Sequence, residues 1–149
     1  LDETVGVVAV AAVLSAGAVT ALAFRTNRAD PATPERLIGE LGLARWAGVL
    51  IAGVGGVSLG LAIAHRGVAL AHVDAALGVI FIGLGGVVLQ REPREGLVIA
   101  ATALLSHALL SIAHRPGWLP ADMAPHWFTV GAATYDVYLA GLCFWGRRR

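Results

Sequence analysis

The chain reads as an all-α integral membrane bundle of five transmembrane helices. Three observations predict this class. Of its 149 residues, 57% are hydrophobic and 14% charged, with a mean hydropathy of +0.74. A soluble domain of this length cannot hide so much apolar surface, so the bilayer serves as solvent for most of it. The sequence also divides into five apolar runs, each close to the ~20 residues a helix needs to cross a hydrocarbon core. Finally, the basic residues are all arginine, and they sort into alternate gaps between the runs. Arg25, Arg28, Arg36 and Arg45 follow run one, Arg91 and Arg94 follow run three, and Arg147, Arg148 and Arg149 follow run five. The other gaps hold only Arg66 and Arg115. This is the positive-inside bias of a protein with its N-terminus outside and its C-terminus in the cytoplasm of a plasma membrane. The lack of lysine beside so much Ala, Gly and Arg suggests a GC-rich, bacterial-type source.

The spans fall at about 5–24, 46–64, 68–89, 96–113 and 127–146. Span one is preceded by Asp2 and Glu3 rather than a basic segment, which argues against a cleaved signal peptide. Residues 25–45 form the longest connector, a cytoplasmic loop. Asp30-Pro31-Ala32-Thr33-Pro34 breaks the chain, and Thr33 can then cap a helix with Pro34 in its first turn. Leu37, Ile38 and Leu41 share one face of that segment, while Glu35, Arg36 and Glu40 take the other. A short amphipathic helix lying on the inner membrane surface is the expectation.

Span two carries Gly48, Ala52, Gly56, Gly60 and Ala64 at four-residue spacing, a smooth stripe for close helix packing within the bundle or against another subunit. Gly56-Val57-Ser58-Leu59-Gly60 matches a hydrolase elbow pattern, but that chemistry needs a strand–turn–helix setting and is rejected here. The ends of spans two and four repeat Ile63-Ala64-His65-Arg66-Gly67 as Ile112-Ala113-His114-Arg115-Pro116-Gly117. That similarity suggests a parallel duplication of helical hairpins. The outer loop 114–126 holds Pro116, Pro120, Pro125, Trp118 and Asp122, a compact cap. Trp46 and Trp145 fall at inner boundaries, and Trp118 and Trp127 at outer ones, as an aromatic belt requires.

Chemistry concentrates in the histidines and two acids. His65, His72, His114 and His126 sit at the outer boundary, where imidazoles from neighbouring helices could hold haem b or a metal. Histidine is also tolerated at interfaces for its own sake, and none of these spacings is a metal signature. His107 lies seven residues before His114, on the same face and ~10 Å deeper. Asp136, near the middle of span five, reaches a comparable depth. An isolated carboxylate there costs several kcal/mol, so a His107–Asp136 contact is expected, as structural glue, a proton relay or support for a histidine ligand. Asp74 is read as an interfacial charge that reaches water or neutralises Arg66 or Arg115. The single cysteine, Cys143, excludes an internal disulfide and reads as a packing residue.

Three functions remain. The leading expectation is a small non-catalytic accessory subunit of a membrane complex, with other integral membrane subunits as partners. The second is a haem- or quinone-associated redox anchor using the outer histidines, and the third a small transporter or channel centred on Asp136 and His107. No nucleophile–base pair or metal motif points to an enzyme. With a net charge of +1 and the arginines at membrane boundaries, no nucleic-acid partner is expected.

Overall fold

The computed structural model describes residues 3–67, 70–114 and 124–147. They form five helices: α1 (Glu3–Arg28), α2 (Pro34–Ala64), α3 (Ala71–Gln90), α4 (Pro93–Ala113) and α5 (His126–Gly146). No strand occurs among the described residues. The first four helices are long and apolar enough to cross a membrane, which makes this a multi-pass membrane protein in contact with lipid. The 21-residue α5 is long enough, yet it is not among the sufficiently apolar helices, because Thr134, Tyr135, Asp136 and Tyr138 interrupt it.

Proline starts two of these helices. Pro34 and Pro93 occupy the first turns of α2 and α4, where their missing N–H has no intrahelical partner to lose. Thr33 stands at the N-cap of α2, but its hydroxyl donates to the carbonyl of Asp30 at 2.8 Å instead of capping the helix.

The separate surface helix expected within 25–45 is instead the first three turns of α2, and its polarity is reversed. Arg36 and Glu40 are 3% and 1% exposed, whereas Leu37 and Ile38 face outward. The reason is length and partners. At 1.5 Å per residue the 31 residues of α2 span about 46 Å, well beyond a ~30 Å hydrocarbon core. The overshoot sits among the ends of α1, α4 and α5, which supply hydrogen-bond partners to the two charges.

The closest packing joins α2 and α3. A Cβ added at Gly55 would stand 2.5 Å from the carbonyl oxygen of Gly78, and one at Gly85 would stand 2.5 Å from that of Gly48. Only glycine permits this approach of two antiparallel backbones. Of the predicted stripe, Gly48 and Ala52 lie in this seam, but Gly56 and Gly60 have nothing within 4 Å and Ala64 is exposed. Four-residue steps advance 400° around a helix with 3.6 residues per turn, so such a row winds off its face. Gly48 and Gly55 are seven apart and drift only ~20°, as do Gly78 and Gly85 on the partner helix.

One apolar core, including Ile51, Phe81, Leu97, Leu104 and Leu139, is drawn from all five helices. It divides the molecule into two ends. One, the arginine end, gathers the C-termini of α1, α3 and α5 with the N-termini of α2 and α4. The opposite, histidine end, gathers the remaining termini.

Candidate functional site

At the arginine end, Arg36 is saturated. Its Nε donates to Glu40 Oε1 at 2.8 Å, and Nη1 to the Thr26 carbonyl at 2.8 Å and Asn27 Oδ1 at 3.1 Å. Nη2 donates to the Gly146 carbonyl at 3.0 Å. One guanidinium thus satisfies carbonyls at the C-termini of both α1 and α5, where the helix dipole favours a cation. From α4, Arg94 Nε and Nη2 donate to the two oxygens of Glu40 at 3.0 and 3.3 Å. Gly39 lies so close to Thr26 that any side chain there would collide with it.

The histidine end is built differently. His107 Nδ1 lies 2.5 Å from Asp136 Oδ2, and His114 Nε2 lies 2.9 Å from Asp74 Oδ1. Asp136 is 1% and Asp74 6% exposed. In both acids the second oxygen, Asp136 Oδ1 and Asp74 Oδ2, is buried without a hydrogen-bond partner among the described residues. Such orphaned acceptors are rare in folded proteins. All four residues line a single cavity of about 380 Å³ whose other walls are nearly all apolar, among them Val8, Val57, Leu61, Trp127 and Phe128. The front wall comes from the N-terminal half of α1, latched to α5 by Ser15–Tyr135 and Thr20–Tyr138 hydroxyl pairs at 2.7 and 2.6 Å. The floor is His107 and Asp136, with the apolar core beneath them.

Acceptor chemistry distinguishes the two pairs. His114 Nδ1 faces the carbonyl of Leu110 at 2.8 Å, and a carbonyl only accepts, so Nδ1 carries a hydrogen. Its Nε2 meets Asp74, so a further proton must lie between those two atoms, and both ring nitrogens are engaged. Among the described residues His107 has only Nδ1 engaged, with Phe81 edge-on against its ring at 5.1 Å between centroids.

The remaining histidines are elsewhere. His65 turns Nδ1 onto the carbonyl of Leu61 at 3.0 Å, the same back-bond that His114 makes in the matching motif of α4. His72 and His126 are exposed, and none of these three lines the cavity. Among the described residues no three His, Cys, Asp or Glu side chains come together as a metal-binding group. Asp74, read from sequence as an interfacial charge reaching water or neutralising Arg66 or Arg115, pairs with His114, and Arg66 is exposed. Arg115, Pro116, Trp118, Pro120, Asp122, Arg148 and Arg149, with Val68 at the expected start of span three, lie outside the described residues. Sequence reasoning missed the His114–Asp74 pair and the Arg36–Glu40–Arg94 network. Their signal was the placement of Asp74 and His114 at matching helix ends, and an i,i+4 Arg–Glu pair at the head of a long apolar helix.

Comparison with protein-family models, with curated proteins and with solved structures finds no match to this chain.

Proposed function

We propose that this protein crosses a bacterial-type plasma membrane five times, N-terminus outside and C-terminus in the cytoplasm, and works as a one-sided, proton-exchanging binding site of the transporter class. The alternating arginines support the topology. The polar groups of α5 do not argue against a fifth crossing, because Asp136 and Tyr135 turn inward onto His107 and Ser15.

The observation that carries the function is the pair of buried carboxylates, each with an orphaned oxygen, lining one apolar cavity. A carboxylate kept only for packing finds partners for both oxygens, as Glu40 does. Polar groups left incomplete in a cavity are the pattern expected of a site that something else completes. The apolar core below His107 favours access from one side over an open channel.

The test is a fast alkaline pH jump on the histidine side of the protein reconstituted in a supported bilayer. The expected result is a transient charge displacement that decays to no steady current and is lost in Asp136→Asn. A sustained current would mean a channel, and no displacement would end the proton-exchange reading.

A second reading, an accessory subunit of a membrane complex, is favoured by Gly53, Gly56 and Gly60. They share an exposed face of α2 and have nothing within 4 Å, which leaves room for a helix of another subunit. Native mass spectrometry from the source membrane checks it, with Gly56→Ile expected to release a partner and leave the chain folded. The haem or quinone anchor gains least support, since His65, His72 and His126 stand away from the cavity and both ring nitrogens of His114 are engaged.

A further inference from the structure

We infer that the cavity takes a lipophilic ammonium ion, which binds Asp136 Oδ1 in exchange for one proton from His107. The inference rests on the proton-exchanging site proposed above and names the class of ligand it serves.

Donor and acceptor chemistry selects the class. The groups lacking partners, Asp136 Oδ1 and Asp74 Oδ2, are carboxylate oxygens, which as anions only accept hydrogen bonds. A ligand offering only carbonyl or ether oxygens cannot complete them; one carrying N–H groups can, and a positive charge strengthens the bond. The surrounding walls ask for an apolar body. Trp127, Phe128 and Tyr135 line the same cavity, and aromatic faces attract cations as well as hydrocarbon. At about 380 Å³ the space lies at the small end of the ~300–1,000 Å³ usual for small-molecule sites.

Charge balance supplies the exchange. In a dry site the His107–Asp136 pair rests as imidazolium and carboxylate, or as imidazole and acid, with no net charge in either form. Removing a proton from an empty site leaves a buried net anion, a cost that an alkaline jump must overcome. An ammonium ion at Asp136 Oδ1 compensates that charge. The Nε2–H bond of His107 then breaks, its proton leaves to water, and Nδ1–H continues to donate to Asp136 Oδ2. The net charge of the site is zero before and after. His114 does not compete for this role, because its two ring nitrogens are bonded to Leu110 and Asp74. The titratable groups facing the pair are Asp74 from α3, His114 from α4 and Tyr135 from α5; among the described residues α1 and α2 bring only neutral side chains to the cavity.

The experiment uses 2-phenylethylammonium and its neutral isostere 2-phenylethanol, titrated into the full chain in nanodiscs. Trp127 fluorescence reports occupancy, with Trp127→Phe as the blank, and a pH dye in weak buffer counts protons. The expected result is binding of the ammonium with one proton released, and an apparent affinity rising about tenfold per pH unit while the free site is protonated. Asp136→Asn weakens that binding by roughly ten- to a hundred-fold. His107→Gln, whose amide can still donate to Asp136, binds the ammonium and by the same charge balance releases the proton from the Asp136 carboxyl instead. The pH range over which affinity rises therefore moves, a shift a purely structural histidine would not give. A melting curve of each variant shows that it is folded.

Equal binding of the alcohol, or full-affinity ammonium binding by Asp136→Asn, overturns the ligand class while leaving the pH-jump transient intact. An affinity–pH profile of His107→Gln that superimposes on the wild type overturns the role of His107. If neither compound perturbs Trp127 and the pH jump gives no transient, the class and the underlying site reading fall together.

Discussion

The two ends of this bundle each bury charged residues, and they treat them in opposite ways. At the arginine end every oxygen of Glu40 is bonded, and Arg36 reaches three helices at once. At the histidine end two carboxylates are held by one imidazole each, and half of their oxygens face no donor among the described residues. A low-dielectric interior magnifies both situations. Complete networks there hold a unique arrangement, and incomplete ones cost free energy that a purely structural role would not justify. The contrast within one small chain sets a clasp against the proposed site.

The most severe test of that contrast is Glu40→Ala. It leaves Arg36 buried beside an empty space, and removing one partner of a buried ion pair costs on the order of 3–5 kcal/mol. Chemical unfolding in nanodiscs should show a large loss of stability or no folded protein. A wild-type unfolding curve would mean that the arginine end is not a clasp.

Next in size is the seam that links the ends. Gly85→Ala drives a methyl group into the Gly48 carbonyl, an overpacking expected to cost about 1–3 kcal/mol. Gly56→Ala, next to Gly55 but turned away from the seam into open space, should leave the same unfolding midpoint unchanged. Equal effects of the two would show that the helices are rotated relative to the arrangement described here.

Tyr135→Phe removes the hydroxyl latch to Ser15 between α1 and α5. Interhelical hydrogen bonds in membranes average ~0.6 kcal/mol, so stability should fall slightly. Faster solvent exchange of α1 amides near Ser15 than of those near Ala23, measured by hydrogen–deuterium exchange, would locate the loosening at the cavity wall. The smallest stability change is expected for Asp136→Asn, which removes a poorly satisfied buried carboxylate. Its unfolding curve should match or exceed that of the wild type even as ligand binding and the pH-jump transient disappear, the trade expected where a site is strained for function. A loss as large as that of Glu40→Ala would erase the distinction between the two ends.

The sequence alone determined that the chain is helical and multi-pass, where Pro34 and Pro93 start helices, and which residues are costly in a bilayer. It also placed His107 and Asp136 at matching depth, because depth follows from counting residues inward from a helix end at a fixed rise. These are properties of one residue or one helix at a time. Only the tertiary structure decided that Arg36 and Glu40 turn inward, that Asp74 meets His114, and that Gly55, Gly78 and Gly85 rather than Gly56 and Gly60 make the close seam. Each of these depends on how a helix is rotated about its own axis. Helices that are apolar on every side carry no stripe from which that rotation can be read. It is set by backbone approach at glycines and by pairing between buried charges, which are contacts between distant parts of the chain.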